Sequence, residues 1–100
     1  MGRVFEQIYR TLYGSQISAL TELAAAPNGE AALSESSAFF DGLKAKHPDF
    51  YEKNTFEEWI RDPLTAGLIK RSRDQIRITD LGREFLTYLQ ATNLSADKAW

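Results

Sequence analysis

A change in the spacing of apolar residues constrains the fold of this chain more than any other feature of its sequence. Over most of the chain, apolar side chains recur at steps of three to five residues, which indicates amphipathic helices. Over residues 75–79, Ile76 and Ile78 instead alternate with polar residues, which is the period of a half-buried strand. The polar segment 72–74 separates this strand from residues 68–71, so we expect a β-hairpin.

The first helical segment runs over about residues 3–26. Its apolar residues are Val4, Phe5, Ile8, Tyr9, Leu12, Ile17, Leu20 and Leu23. Gly14 interrupts the pattern, and a glycine inside a helix costs about 1 kcal/mol relative to alanine. Ser15 offers an alternative, since it could cap a second helix. We expect one long helix with a weak point at Gly14, ended by the turn residues 27–29.

A second helix is expected to stop before Pro48, because the residue before a proline is pushed out of helical geometry. It follows a loop whose candidate N-caps are Ser34, Ser36 and Ser37. Its apolar residues are Ala38, Phe39, Phe40 and Leu43. The connection after it, residues 49–53, carries Phe50 and Tyr51, which we expect to fold back on the core.

The third helix should open at Asn54 or Thr55, since Thr55 and Glu58 have the spacing of a capping box. Gly67 is its expected C-terminal stop. Pro63 conflicts with this pattern, because a proline inside a helix removes a hydrogen bond and should kink the helix or end it. We therefore expect a short, bent helix.

After the hairpin, Thr79 can cap a last helix that ends near Thr92. The apolar residues of this helix are Leu81, Phe85, Leu86 and Leu89. Gly82 should leave room for close approach of the neighbouring strand. Residues 93–100 are predicted to form a frayed tail, which leaves a single domain over residues 1–92.

Composition narrows the classes of function. Hydrophobic residues make up 43% of the 100 residues, enough for a core, and the absence of cysteine excludes disulfides and metal–thiolate sites. No apolar run is long enough to span a membrane and no secretory signal is present, so we expect a cytoplasmic protein. A net charge of −2 argues against a generic basic coat for nucleic acid but leaves room for a local basic patch.

Two runs of sequence resemble the end of many bacterial winged helix-turn-helix regulators. They are Leu-Thr-Ala-Gly-Leu-Ile-Lys at residues 64–70 and Ile-Thr-Asp-Leu-Gly-Arg-Glu-Phe-Leu at residues 78–86. In those proteins, a recognition helix closes on a Gly-Leu-Ile wing strand, and a second wing strand runs into an Ile/Leu-Thr-x-x-Gly segment. The resemblance implies a mainly α winged helix of the order helix, helix, helix, hairpin, helix. It also implies that residues 55–66 form the recognition helix and residues 72–74 the wing tip.

Charge then favours double-stranded DNA as the partner. Residues 61–83 contain six basic and three acidic side chains, a local charge of +3. The wing cations that could neutralise phosphates or enter the minor groove are Lys70, Arg71, Arg73 and Arg77. On the recognition helix, Arg61 and Thr65 are the best candidates for base contacts, and Thr55 is a further polar position. Against this interpretation, Glu57, Glu58 and Asp62 put three carboxylates on the same helix.

Binding of a protein is the alternative function. Aromatic residues of the first and last helices could form a homodimer interface, with Phe5, Tyr9, Tyr13 and Tyr88 as the candidates. For any single one of these rings, a place in the core is favoured over one at an interface. We expect no enzyme activity, cofactor or metal, because His47 is the single histidine and the sequence has no phosphate-binding glycine loop or nucleophile motif.

Overall fold

The computed structural model describes the backbone of residues 2–94, with side chains from Val4 onward. The described residues form a mainly helical domain with a small three-stranded antiparallel sheet, which is the class that the sequence predicts. Its helices are α1 (Gly2–Thr11), α2 (Gly14–Ala25), α3 (Leu33–Lys46), α4 (Pro48–Tyr51), α5 (Phe56–Thr65) and α6 (Asp80–Ala91). Its strands are β1 (Glu30–Ala32), β2 (Ile69–Arg71) and β3 (Gln75–Ile78), and a single 3₁₀ turn occupies Pro27–Gly29.

The predicted long first helix is wrong, because the chain breaks between α1 and α2. Tyr13 adopts an extended conformation with φ −80° and ψ 156°, and its N–H donates to Gln16 Oε1 at 2.7 Å. Gln16 thus satisfies an amide that an uninterrupted helix would have bonded internally. Ser15 does not cap α2, since its hydroxyl contacts Tyr51 Oη at 2.7 Å. Tyr13 consequently lies outside α1, and its four-residue spacing from Tyr9 does not place the two rings on one helix.

Helix α5 begins as predicted, with a capping box in which Thr55 Oγ1 accepts from the Glu58 N–H at 3.1 Å and Glu58 Oε1 accepts from the Thr55 N–H at 3.0 Å. Pro63 lies inside this helix and does not end it, and the Trp59 carbonyl, which would bond to an N–H at position 63, has another donor. A proline at position 63 has no N–H for the Trp59 carbonyl, and Gln16 Nε2 donates to that oxygen instead, at 2.5 Å. The helix therefore continues to Thr65, and Gly67 with φ 78° ends it as expected.

Strand β1 occupies a segment that we expected to be a loop. It pairs antiparallel with β3, with Ala31 opposite Ile76, and the strand order in the sheet is β1-β3-β2. Three residues with small side chains carry little strand signal of their own, and β3 supplies the hydrogen-bonding edge that orders them. Helix α3 begins directly afterwards, so the predicted N-cap serines lie inside it. Glu35 Oε1 instead accepts from the Ala32 N–H at 3.3 Å.

The hairpin and the last helix confirm the sequence prediction. Ile76 and Ile78 are buried, whereas the residues between and before them on β3 are exposed. Thr79 Oγ1 accepts from the Gly82 N–H at 3.0 Å and donates to the Gly67 carbonyl at 2.6 Å. A Cβ at Gly82 would overlap the Leu68 carbonyl oxygen, so the close approach expected at this glycine is present.

The connection between α3 and α5 contributes one of its two aromatic rings to the core. Tyr51 is fully buried and packs edge-on against Phe40, whereas Phe50 remains 37% exposed. Burial raises the pKa of the Tyr51 hydroxyl, and its hydrogen bond with Ser15 partly opposes that shift. The short helix α4 therefore anchors the loop that leads into α5.

The end of α6 is a closed turn. Asn93 has φ 58°, and the Leu94 N–H donates to the Leu89 carbonyl at 2.9 Å, which is the geometry of a Schellman cap. Leu94 also packs against the core cluster. Of the predicted tail, residues 95–100 lie outside the described residues.

Candidate nucleic-acid interface

The register of the sheet sorts the hairpin cations onto two faces. Lys70 on β2 lies opposite Arg77 on β3, and Glu30 on β1 lies opposite Arg77 from the other side. Residues that are directly opposite each other in antiparallel strands project to the same face. Since Ile76 and Ile78 alternate with Arg77 and point into the core, the row formed by Lys70, Arg77 and Glu30 projects outward.

Arg71 is separated from this row. It lies opposite Ile76, on the side of the sheet that faces the helices, and donates to both carboxylate oxygens of Glu57 at 2.5 and 2.9 Å. The pair joins β2 to the first turn of α5. These hydrogen bonds lower the pKa of the Glu57 carboxyl and raise that of the Arg71 guanidinium. Arg71, predicted to contact DNA, is therefore engaged within the protein.

Arg77 is also paired. Its guanidinium donates to Glu30 Oε1 across the β1–β3 ladder. Glu30 belongs to strand β1, which we did not predict, so nothing in the sequence indicated that Arg77 is paired with a carboxylate. A glutamate before two alanines gives no local signal of this contact.

Three of the predicted cations form no ion pair with a described residue. Arg61 on α5, Lys70 on β2 and Arg73 in the hairpin turn are exposed, and no ion pair joins any of them to a residue within 2–94. Arg83, which contributed to the local charge, lies on α6: its Nη1 donates to the Ala24 carbonyl at 3.4 Å, at the end of α2, and its guanidinium lies beside Gly29.

The exposed side of α5 carries the other predicted contacts. Arg61 and Thr65 are exposed and follow Glu57 at four-residue intervals, so the three residues share one helical face. The Thr55 hydroxyl is engaged in the N-cap of α5, where it accepts from the Glu58 N–H and donates to the Glu58 carboxylate. Asp62 is exposed beside Arg61.

The net charge of this surface, formed by α5, the hairpin and Glu30, is zero. Its cations are Arg61, Lys70, Arg71, Arg73 and Arg77, and its anions are Glu30, Glu57, Glu58, Asp62 and Asp74. The excess of +3 counted over residues 61–83 does not hold for this surface, because α5 and β1 add Glu57, Glu58 and Glu30, whereas Asp80 and Arg83 lie on α6 and are not part of it.

Comparison with family models, curated proteins and solved structures finds no match to this chain.

The aromatic residues predicted at a dimer interface separate in the structure. Phe5 is buried and contacts Phe85 and Tyr88, with ring centroids 5.7 and 5.4 Å away, so it belongs to the core between α1 and α6. Tyr9 and Tyr88 are half-buried against that core. Tyr13 is more exposed and packs edge-on against the ring of Phe50, 5.2 Å away. Dimerisation through the exposed parts of these rings stays a prediction.

Within residues 2–94, no group of three or more histidine or carboxylate side chains is placed to hold a metal ion. No helix in that part of the chain combines the length and the apolar character required to cross a bilayer.

Proposed function

We propose that this chain is a cytoplasmic winged-helix domain that binds double-stranded DNA, with α5 as the recognition helix and the β2–β3 hairpin as the wing. From α2 onward, and apart from the short α4, the elements follow the order helix, strand, helix, helix, hairpin, helix, and this order supports the proposal. It contains the order that the resemblance predicts, and it adds a strand that closes the sheet against the hairpin.

The observation that carries the proposal is the double hydrogen bond between Arg71 and Glu57. It couples the hairpin to α5 and compensates one of the three carboxylates that oppose the approach of phosphate. Glu58 is held at the N-terminus of α5 by the capping box, where the helix dipole offsets its charge. Asp62 is then the one α5 carboxylate with neither compensation.

The exposed side chains of α5 and the hairpin suggest how a duplex is bound. Lys70 and Arg73 would contact phosphates, and Arg77 would do so in competition with Glu30. Arg61 has a guanidinium fork suited to the O6 and N7 acceptors of guanine, and Thr65 lies one helical turn further along the same face. Because the surface is neutral overall, affinity should come from these few directed contacts rather than from a broad positive field.

The test is a fluorescence anisotropy titration of the full chain with a random-sequence duplex at low salt. Removing two phosphate contacts in Lys70→Ala/Arg73→Ala should weaken binding by about tenfold or more. The matched control is Lys46→Ala/Lys53→Ala, which removes the same charge from exposed positions outside this surface. Equal losses in both variants, or no binding at about 100 µM protein, would overturn the proposal.

A second candidate is a winged-helix adaptor that binds a protein. The packed pair Tyr13 and Phe50 favours it, because each residue is 37% exposed and together they form an aromatic surface outside α5 and the hairpin. The two functions give opposite results in the same titration, since the adaptor requires no affinity for random duplex DNA.

A further inference from the structure

A cleft of about 280 Å³ opens between α2, α3, α5 and the sheet. This volume lies near the lower end of small-molecule sites, which are roughly 300–1,000 Å³. Apolar side chains from α2, α3, α5 and all three strands line it. They include Leu20, Leu23, Phe39, Trp59, Pro63 and Ile76. Small residues of α2, among them Ala19, leave the space that larger side chains would fill.

Two aromatic rings give the cleft a defined wall. Phe39 and Trp59 are stacked, with centroids 5.9 Å apart and planes inclined by 25°. The Trp59 indole N–H donates to Ser15 Oγ at 3.2 Å, which fixes the orientation of the ring.

The polar group in the floor of the cleft is already engaged. Gln16 is buried, its Nε2 donates to the Trp59 carbonyl, and its Oε1 accepts from the Tyr13 N–H. A ligand that enters the cleft gains little from this amide, and Ser36 is the other uncharged polar residue of the lining, so the buried part of the ligand should be mainly apolar.

The rim carries the opposite chemistry. Among the described residues that line the cleft, Glu22 and Glu35 are the charged ones, and both are exposed carboxylates. Glu35 is partly fixed by its hydrogen bond from the Ala32 N–H. A positive charge placed beside these two carboxylates is favoured, whereas a negative charge at this rim is repelled.

We infer that the cleft binds a small lipophilic cation, with an apolar or aromatic body beside Trp59 and Phe39 and a protonated amine at Glu22 and Glu35. This site is distinct from the proposed DNA surface, and its test does not depend on DNA binding.

Three probes with the same apolar body test the charge requirement: 4-phenylbutylamine, 4-phenylbutanol and 4-phenylbutyrate. The readout is Trp59 fluorescence in a Trp100→Phe variant, which leaves Trp59 as the remaining tryptophan. The amine should bind with a Kd of about 0.1–1 mM, in the range expected for so small a ligand. It should bind about three- to thirty-fold more tightly than the alcohol, with the carboxylate weakest.

Two variants locate the site. Glu22→Gln/Glu35→Gln should make the amine and the alcohol bind equally well, and glutamine at position 35 keeps an acceptor for the Ala32 amide. Ala19→Leu should fill the cleft and weaken all three probes by about tenfold or more. Its matched control, Ala45→Leu on the exposed side of α3, should bind like the parent.

Saturable binding that ignores probe charge would overturn the inference, as would amine binding that survives Ala19→Leu. The absence of any fluorescence change up to about 10 mM amine would overturn it as well.

Discussion

At the scale of single residues, Gln16 explains two departures from the sequence prediction. Its carboxamide accepts from the Tyr13 N–H at the start of α2 and donates to the Trp59 carbonyl that Pro63 deprives of a helical partner. One buried side chain therefore permits both the break near Gly14 and a proline inside α5. A buried carbonyl left without a donor would cost about 1–3 kcal/mol.

A double-mutant cycle isolates this second role. Gln16→Leu should destabilise the domain by about 2–4 kcal/mol, since a buried carbonyl loses its donor and a helix start loses its acceptor. In a Pro63→Ala background, residue 63 regains an N–H for Trp59, so the same substitution should cost about 1 kcal/mol less. Urea unfolding of the four proteins measures the coupling, and strictly additive free energies would show that Gln16 does not compensate for the proline.

Two glycines make a matched pair for a packing prediction. A Cβ at Gly82 would overlap the Leu68 carbonyl and lie 2.6 Å from Ile78 Cγ1, whereas a Cβ at Gly42 in α3 would meet nothing within 4 Å. Gly82→Ala should therefore destabilise the domain by about 1–3 kcal/mol. Gly42→Ala should stabilise it by about 0.5–1 kcal/mol through helix propensity. Thermal unfolding decides the matter, and a neutral Gly82→Ala would contradict the packing account.

At the scale of elements, the contact between α5 and the hairpin depends on the ionised form of Glu57. Hydrogen bonding to Arg71 lowers the pKa of this carboxyl below its ordinary value of 4.5. A carboxyl with a depressed folded-state pKa stabilises the fold at pH values above its unfolded-state pKa, and the contribution is lost as the pH falls through the folded-state pKa.

An NMR titration of the Glu57 carboxyl checks this sign. Its midpoint should lie below 4.5 in the parent and return towards 4.5 in Arg71→Gln. The stability difference between the parent and Glu57→Gln should accordingly be present at neutral pH and vanish at about pH 2. An unchanged midpoint in Arg71→Gln would mean that the pair does not persist in solution.

The elements that the sequence predicted are those with local signals. The capping box of α5, the alternation of Ile76 and Ile78, and the Thr79 cap all lie within a few residues of the structure they specify. The continuation of α5 past Pro63 and strand β1 depend on partners far along the chain, whereas the break between α1 and α2 rests on the local contact of Gln16 with Tyr13. Gln16 bonds a residue 43 positions away, and β1 requires β3 before it can form. Such long-range contacts leave no periodic trace in the sequence.

In the candidate site, too, the features with local sequence signals could be predicted and the long-range contacts could not. The cations of the hairpin and the exposed face of α5 could be predicted, because both follow from the period of each element. The ion-pair partners of these cations could not be predicted. Glu30 pairs with Arg77 from a strand that was not predicted, and the register of the hairpin places Arg71 on the side of the sheet where Glu57 lies.

At the scale of the whole molecule, a neutral surface predicts a shallow salt dependence. About two to three phosphate contacts give a slope of roughly −2 to −3 for log K against log salt concentration. Freeing Arg77 with Glu30→Gln should tighten binding and steepen the slope by about one. The control Glu52→Gln removes an exposed carboxylate outside the surface and should leave the slope unchanged. A slope near zero, or equal effects in both variants, would argue against phosphate contacts by the wing.

The most direct test of the central claim is a map of backbone amide shifts as a duplex is added to the isotopically labelled chain. Binding through α5 and the wing should shift the amide signals of residues 61–65 and 70–77, and the signals of the amides around Tyr13 and Phe50 should not move. Shifts around Tyr13 and Phe50 alone, or an unperturbed spectrum at about 100 µM protein and low salt, would contradict it.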